Sequence, residues 1–296
     1  MKIPPIMELI SRPHLVADRS AEARRSGATV GFVPTMGALH AGHMDLIRKA
    51  RETTGLVVCS IFVNPLQFND PKDLENYPRQ LEQDAGLLRE AGCHVLFAPA
   101  REDLFHDFTP RTYDLGGLDT HWEGPSRPGH FQGVVNVVER LFHFVRPDAA
   151  FFGEKDRQQL AIISHVARAE RWPGRIVPCA TVRAPDGLAL SSRNQRLSPE
   201  ERHRASVLYR ALQEAARLAF LEPPAALHQA VAGILSGEPS VVLDHFGVAD
   251  ARDLQPLETW GDRQEAVALI AARVGPVRLI DNITLARPPH GSAAAT

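Results

Sequence analysis

The sequence is poor in cysteine: Cys59, Cys93 and Cys179 are the only three in 296 residues, and they lie far apart. This spacing matches neither the closely spaced ligand pairs of a zinc site nor the even-numbered framework of a disulfide-rich secreted domain. Two of the three lie in strand-like runs. We therefore expect reduced core residues in a cytoplasmic protein.

The chain also lacks a long hydrophobic run and an excess of either charge. No stretch reaches the ~18 apolar residues of a membrane-spanning helix. Residues 1–8 contain one lysine, two prolines and no apolar core, which excludes a secretory signal peptide there. The formal net charge is −2, so bulk electrostatics does not favour binding to nucleic acid or to an anionic membrane. We predict neither partner.

What is present is the composition of an ordinary globular protein, with 44% hydrophobic and 23% charged residues. The length predicts about two domains. Up to residue 183, strand-like runs alternate with helical spacing, which predicts an α/β domain, residues 1–183, with helices on both faces of a parallel sheet. The predicted strands are residues 29–34, 56–63, 94–97, 149–152 and 175–182, and the predicted helices are residues 43–51, 81–91, 134–145 and 157–169.

The character changes at the turn signal Pro185-Asp186-Gly187. Beyond it, Ser198 followed by Pro199 predicts a helix start. Helical spacing then covers residues 199–219 and 224–236, and strand-like runs cover residues 241–248, 266–273 and 277–282. We predict a second, smaller α+β domain, residues 184–296, with a short antiparallel sheet.

The most informative segment is Pro34-Thr35-Met36-Gly37-Ala38-Leu39-His40-Ala41-Gly42-His43. It joins a buried strand to a helix, so His40 and His43 open a helix beyond a strand end, where open α/β sheets bind ligands. Residues i and i+3 share a helix face, and a helix N-terminus suits phosphate while disfavouring imidazolium. Gly42 allows a nucleotide to approach the backbone. We therefore predict a nucleotide site.

Two other interpretations of the histidine pair are weaker. Thirteen histidines in the chain make chance pairs common. A metal site would use the same His-x-x-His spacing, but no third ligand lies nearby in the sequence.

Other polar segments follow the predicted strands or the domain junction. Asn64 and Gln67 are carboxamides that could bind a small polar acid, and Lys155 after Gly153 suits phosphates although it is not part of a Walker A loop. Ser191, Ser192 and Arg193 form a plausible phosphate clamp. Each segment alone also fits ordinary loop or linker chemistry, but their joint placement favours one site.

Five segments together resemble the pantoate–β-alanine ligase family, and the resemblance covers about residues 1–285. The His-x-Gly-His pattern alone belongs to a wider nucleotidyltransferase superfamily. Tyr77-Pro78-Arg79 and Arg278-Leu279-Ile280-Asp281-Asn282-Ile283 are also similar to that family. The five segments are Pro34–His43, Phe62-Val63-Asn64-Pro65-Leu66-Gln67-Phe68, Arg127-Pro128-Gly129-His130-Phe131 with Gly133 and Val134, Phe152-Gly153-Glu154-Lys155-Asp156 with Gln158 and Gln159, and Ser191-Ser192-Arg193-Asn194.

The resemblance implies a Rossmann-like N-terminal domain, a smaller C-terminal lid domain and a homodimer. It also implies the conversion of ATP, pantoate and β-alanine to AMP, pyrophosphate and pantothenate through a pantoyl-adenylate, with Mg2+ accompanying ATP. The catalytic residues implied are His43, as proton donor, with His40, Lys155 and Arg193. The ATP-binding residues implied are Met36, Gly37, His40, His43, Gly153, Glu154, Lys155, Asp156, Val182, Leu190, Ser191, Ser192 and Arg193.

For pantoate the resemblance implies Asn64, Gln67, His130 and Gln159, with Gln67 also near β-alanine. Asp84 matches a position associated with the magnesium ion. The sequence departs from the family at Arg157, where an aromatic or apolar residue is usual, and at Leu190, where Met is usual. Leu for Met roughly conserves volume.

Two further functions share parts of this pattern. An adenylyltransferase of the same superfamily would need His40 and His43 but not a carboxylic-acid pocket, and it would retain the nucleotidyl group in its product. A non-catalytic nucleotide-binding regulator would not need the full set of phosphate-handling residues.

Overall fold

The computed structural model describes residues 7–69 and 71–288. The chain divides into two compact units. The first comprises the described residues up to Glu154 together with Gln159–Val182, and the second comprises Lys155–Gln158 and the described residues from Arg183 onward. The second unit therefore includes a short segment that lies well before the predicted boundary between residues 183 and 184.

The first unit is built on a parallel sheet of six strands in the order β1-β4-β3-β2-β5-β6. This confirms the predicted α/β class. The predicted strands are present, mostly somewhat shorter than their apolar runs, and one edge strand, β1, was not predicted. The strands are β1 (Glu8–Ile10), β2 (Val30–Thr35), β3 (Leu56–Ile61), β4 (Val95–Phe97), β5 (Ala149–Gly153) and β6 (Arg175–Cys179).

Helices cover both faces of this sheet, because successive strand residues point to opposite sides. Phe32 packs in one core cluster with Phe142, and its neighbour Val33 packs in another with Ile47 and Leu88. The helices are α1 (Pro13–Arg25), α2 (Ala41–Thr53), α3 (Pro71–Glu75), α4 (Leu81–Ala91), α5 (Arg101–Leu104), α6 (Glu123–Ser126), α7 (His130–Val145) and α8 (Arg157–Ala169).

The strand order places a topological switch point at β2. From β2 the chain runs outward through β3 and β4 and then crosses back to β5 on the other side of β2, so the strand order reverses between β2 and β5. In such sheets the crevice outside the carboxyl ends of the two strands at the switch point is the usual ligand site. Here those ends are Thr35 and Gly153.

The second unit packs helices against an antiparallel sheet of β7 (Val241–Asp250), β8 (Glu265–Val274) and β9 (Val277–Ala286). This confirms the α+β character of the C-terminal part. The predicted helix over residues 199–219 is instead two helices, α9 (Pro199–Ala205) and α10 (Val207–Leu218), followed by α11 (Pro224–Leu235). The Ser206 hydroxyl donates to the carbonyl of His203 at 2.7 Å, a bond that bends helices.

The three cysteines are free and buried, as predicted. Burial raises the pKa of the Cys93 thiol to about 12, which keeps it protonated and unreactive. Within residues 7–69 and 71–288, no helix is both long and apolar enough to cross a membrane.

Candidate active site

The chain turns sharply where β2 ends, and Asp84 holds that turn. Gly37 and Ala38 have positive φ angles of 81° and 50°, a conformation that costs a residue with a Cβ about 1–2 kcal/mol. The buried Asp84 carboxylate, in the first turn of α4, accepts backbone hydrogen bonds from Ala38 at 2.9 Å and from Leu39 at 2.8 Å. Two charge-assisted bonds therefore stabilise the turn directly before His40.

His40 and His43 lie together at the start of α2 and cap it. The His40 Nδ1 accepts a hydrogen bond from the Gly42 N–H at 3.2 Å, and the His40 N–H donates to the His43 Nδ1 at 3.3 Å. The ring centroids are 4.1 Å apart. Since an accepting imidazole nitrogen carries no proton, both neutral rings have their proton on Nε2. This is the tautomer that donates one hydrogen bond away from the helix.

Gly42 is required by the His40 ring. A Cβ at position 42 would lie 2.9 Å from the His40 Cε1 and 3.0 Å from its Nδ1, and the Val182 side chain lies 3.9 Å from the same point. The sequence prediction placed a nucleotide against this glycine. The structure shows that the space a Cβ would need is limited by the His40 ring, and the approach of a nucleotide to Gly42 stays a prediction.

The carboxamides of Asn64 and Gln67 meet at the end of β3. Asn64 caps a 3-10 turn, Pro65–Gln67, by accepting from the Leu66 N–H at 3.0 Å. Its Nδ2 donates to the Gln67 Oε1 at 2.9 Å, and the Gln67 Nε2 donates to the Met36 Sδ at 2.9 Å. The turn after β3 is thereby joined to the turn after β2.

Helix α7 packs directly against this 3-10 turn. The His130 Nδ1 donates to the Gln67 carbonyl at 2.8 Å, and the Asn64 Nδ2 donates to the Gly133 carbonyl at 3.1 Å. A Cβ at Gly133 would lie 2.0 Å from the Leu66 carbonyl oxygen, so glycine is needed for this close approach. Met36, Asn64, Gln67 and His130 are thus brought together in the first unit.

The other predicted residues of the first unit lie near the end of β5 or in α8. Gly153 ends β5, and a Cβ there would meet nothing within 4 Å. Glu154 follows it. Gln159 lies in the first turn of α8 and is partly exposed, whereas Gln158 is 3% exposed.

The remaining predicted residues belong to the second unit, where they occupy two segments. In the first, the Lys155 Nζ lies 3.5 Å from the Asp156 Oδ1. In the second, after Leu190, the Ser191 hydroxyl accepts from the Arg193 N–H at 3.3 Å and so caps a 3-10 turn, Ser192–Arg196.

Asp84 is the predicted contact for magnesium. Both of its oxygens already accept backbone hydrogen bonds, and the residue is 1% exposed. Among the residues that the structure describes, no group of three or more His, Cys, Asp or Glu side chains could hold a metal ion. The magnesium contact of Asp84 stays a prediction, and its observed task is to hold the turn after β2.

Sequence reasoning missed the tasks of Asp84 and Gly133, and it assigned none to Asn282, whose Nδ2 donates to the Lys155 carbonyl at 2.9 Å. The only signal for Asn282 and for Gly133 was that each lies in a segment that resembles the family. No local pattern pointed to the contact that either residue makes, because its partner lies far away in the sequence.

Known proteins are similar to this chain over almost its whole length. A family model described as pantoate-beta-alanine ligase matches residues 8–284. The pantothenate synthetase of Rubrobacter xylanophilus is 50% identical over 286 residues, covering 94% of this chain and 98% of the relative. That of Porphyromonas gingivalis is 44% identical, covering 94% and 99%.

Solved structures agree in fold as well as in sequence. A crystal structure of pantothenate synthetase from Thermus thermophilus has a TM-score of 0.88 at 44% identity, covering 95% of this chain and 100% of that one. Pantoate-beta-alanine ligase from Francisella tularensis, complexed with β,γ-ATP and β-alanine, has a TM-score of 0.77 at 33% identity, covering 94% and 97%.

Proposed function

This chain belongs to the pantoate–β-alanine ligase family, and from that membership we propose how its residues join pantoate to β-alanine. It is a ligase that binds ATP and forms the amide bond of pantothenate. The observation that carries the residue assignments is the pair of adjacent imidazoles at the switch point of the sheet, each accepting a backbone N–H through Nδ1.

In the first step, a carboxylate oxygen of pantoate attacks the α-phosphorus of ATP. The bond from that phosphorus to the bridging oxygen breaks, so pyrophosphate leaves and a pantoyl-adenylate forms. Negative charge grows on the phosphate oxygens, and fixed donors aimed at them lower the barrier. We assign His40, His43, Lys155 and Arg193 as those donors, with His43 as the proton donor.

In the second step, the amine of β-alanine attacks the acyl carbon of the adenylate. The C–N bond forms, the bond from carbon to the phosphate oxygen breaks, and AMP leaves while the nitrogen loses a proton. No covalent bond to the protein is needed. Water must be excluded during this step because it would hydrolyse the mixed anhydride.

The residues that we assign to ATP follow β2, β5 and β6 or lie in the segments around Lys155 and Ser191. They are Met36, Gly37, His40, His43, Gly153, Glu154, Lys155, Asp156, Val182, Leu190, Ser191, Ser192 and Arg193.

Pantoate is assigned to Asn64, Gln67, His130 and Gln159, with β-alanine also near Gln67. The hydrogen bonds that connect Asn64, Gln67 and His130 support this, because a pocket held by its own hydrogen bonds loses little entropy when a ligand binds.

Magnesium enters this proposal as part of the substrate MgATP. Protein sites of that kind supply one or two carboxylates at most, and phosphates and waters supply the rest. Since the Asp84 oxygens already accept two backbone N–H groups, we derive no step through a bond from Asp84 to the metal.

The family resemblance also supports three proposals about the whole protein, namely its assembly, its location and its division into domains. The protein is a homodimer, it works in the cytoplasm, and its domains are residues 1–183 and 184–296, with the second as a lid.

Exchange of labelled pyrophosphate into ATP tests the reaction. We expect exchange that requires pantoate and proceeds without β-alanine, and we expect His43→Ala to slow it by at least about 10²-fold. Exchange that appears only with β-alanine would rule out a free-standing adenylate. Product analysis distinguishes the ligase from an adenylyltransferase. The ligase releases AMP, whereas the product of an adenylyltransferase would retain the nucleotidyl group.

A further inference from the structure

The Lys155 segment is held by the last strand of the chain. The Asn282 Nδ2 in β9 donates to the Lys155 carbonyl oxygen at 2.9 Å, and the Asn282 side chain is buried, at 6% exposure of the residue. Lys155 comes two residues after Gly153, where the ladder of β5 with β6 ends. The regular hydrogen bonds of the sheet therefore stop before Lys155, which lies in the 3-10 turn Glu154–Asp156 between β5 and α8, and the bond from Asn282 adds a tertiary contact to its backbone.

Asn282 is itself fixed by the residue before it. The Asp281 carboxylate accepts a hydrogen bond from the Asn282 backbone N–H at 2.7 Å. It also forms a bidentate salt bridge with Arg183, in which Nη1 lies 2.5 Å from Oδ2 and Nη2 lies 3.0 Å from Oδ1. Asp281 is 5% exposed. The Arg183 guanidinium also donates to the Asn282 carbonyl at 3.1 Å, so Asn282 is held on both sides of its Cα.

Arg183 is in turn held by packing within the second unit. Its guanidinium lies 4.1 Å from the centroid of the Tyr209 ring and donates to the Gly187 carbonyl at 3.1 Å. A guanidinium that stacks on an aromatic ring and forms a bidentate salt bridge has little conformational freedom left. Arg183 therefore restricts the positions of Asp281 and Asn282, which it contacts.

Strand β9 also contacts the 3-10 turn Ser192–Arg196, which contains Arg193. The same strand thus lies beside both segments of the second unit to which phosphate contacts are assigned.

We propose that Asn282 is a positioning residue for Lys155. The lysine side chain has a flexible four-carbon stem, so its ammonium group can be aimed only if its own Cα is fixed. Asn282 fixes that Cα through the Lys155 carbonyl. This inference rests on the proposed contact of Lys155 with the phosphates, and we assign Asn282 no contact with a substrate.

The test is a double-mutant cycle on pyrophosphate exchange with Asn282→Ala, Lys155→Ala and the double variant. We expect Lys155→Ala to slow exchange by about 10²-fold or more and Asn282→Ala to slow it about 3- to 10-fold, the effect of one lost side-chain hydrogen bond. In the Lys155→Ala background, Asn282→Ala should have no further effect. The KM for pantoate should stay within about 2-fold throughout, because pantoate contacts other residues.

Asp250→Asn serves as the control for general damage to the sheet. Asp250 is a buried carboxylate in β7 that accepts from the Arg252 N–H and pairs with Arg263, so its loss should lower the melting temperature without slowing exchange. If Asn282→Ala does not fold, Asn282→Leu removes the donor while keeping the branched shape of the side chain.

Three results would overturn the inference. An equal loss from Asn282→Ala in both backgrounds, or normal exchange by Asn282→Ala alone, would show that Asn282 does not act through Lys155. Normal exchange by Lys155→Ala would instead remove the assigned role of Lys155, and the positioning role would fall with it.

Discussion

The two histidines to which we assign phosphate contacts also have a structural task. Each accepts a backbone N–H through Nδ1 at the start of α2. Those bonds favour the tautomer in which the proton of the neutral ring is on Nε2. One pair of hydrogen bonds therefore caps the helix and, in the proposed mechanism, leaves the two Nε2 atoms as the donors to phosphate.

Adding a single Cβ atom at Gly42 tests whether the position of the His40 ring matters. We expect Gly42→Ala to displace the His40 ring, since the new Cβ would lie 2.9 Å from its Cε1. A displacement of about 1 Å at a catalytic group can cost on the order of 10²-fold in rate. The kcat of adenylate formation should fall, while the melting temperature should not, because alanine is the better helix former.

Gly86→Ala is the matched control. Gly86 lies inside α4, and a Cβ there would meet nothing within 4 Å. This variant should raise stability by up to about 1 kcal/mol and leave kcat unchanged. Equal kcat values for both alanine variants would mean that the position of the His40 ring does not matter for the reaction.

Substitution of Gln67 or Gln159 tests the proposal that these residues bind pantoate. Replacing either glutamine by alanine leaves a polar group of the substrate unpaired, at a cost of about 1–3 kcal/mol. We expect the KM for pantoate to rise about 5- to 150-fold, with a much smaller change for ATP. Steady-state kinetics decides: an unchanged pantoate KM in both variants, or an equal loss for ATP, would place the acid pocket elsewhere.

At the scale of elements, the site depends on helices that pack against the turns at the ends of the strands. Helix α7 packs on the turn after β3 through His130 and Gly133. Helix α4 packs on the turn after β2 through Asp84. Each of these two turns is thus held by a helix from a different part of the chain.

Asp84→Asn tests the contact of α4 with the turn after β2. A carboxamide has one acceptor oxygen, so the Ala38 or the Leu39 N–H loses its partner, at a cost of about 1–3 kcal/mol. We expect a lower melting temperature and a lower rate of pyrophosphate exchange, with the half-saturating concentration of Mg2+ unchanged. Thermal unfolding and a magnesium titration of the exchange rate measure these effects.

Asp148→Asn is the matched control, because the Asp148 carboxylate accepts the Val30 N–H at 2.6 Å at the opposite end of the same sheet. It should lower stability without slowing exchange. A raised magnesium requirement for Asp84→Asn, at normal stability, would assign Asp84 to the metal instead of to the turn.

At the scale of the whole molecule, we expect a homodimer assembled through the N-terminal domain, an expectation that rests on family membership. Light scattering over micromolar concentrations should give twice the mass of the chain. A single monomeric mass across that range would contradict the proposal.

The sequence by itself determined the features that depend on neighbouring residues. Apolar runs predicted the strands that end before His40, Asn64 and Lys155, because burial on both faces of a parallel sheet demands continuous hydrophobic residues. The i, i+3 spacing predicted that His40 and His43 share a helix face. The resemblance of separate motifs predicted the family, and the comparisons confirmed it.

Only the tertiary structure decided which distant residues hold those features in place. Asp84 reaches a turn 46 residues earlier in the chain, and Asn282 reaches Lys155 across 127 residues. A hydrophobic period describes which face of an element is buried, but it carries no information on which partner meets a polar side chain. Such pairs form only when the chain folds, because a buried polar group is hydrogen-bonded to whichever partner the packing places beside it.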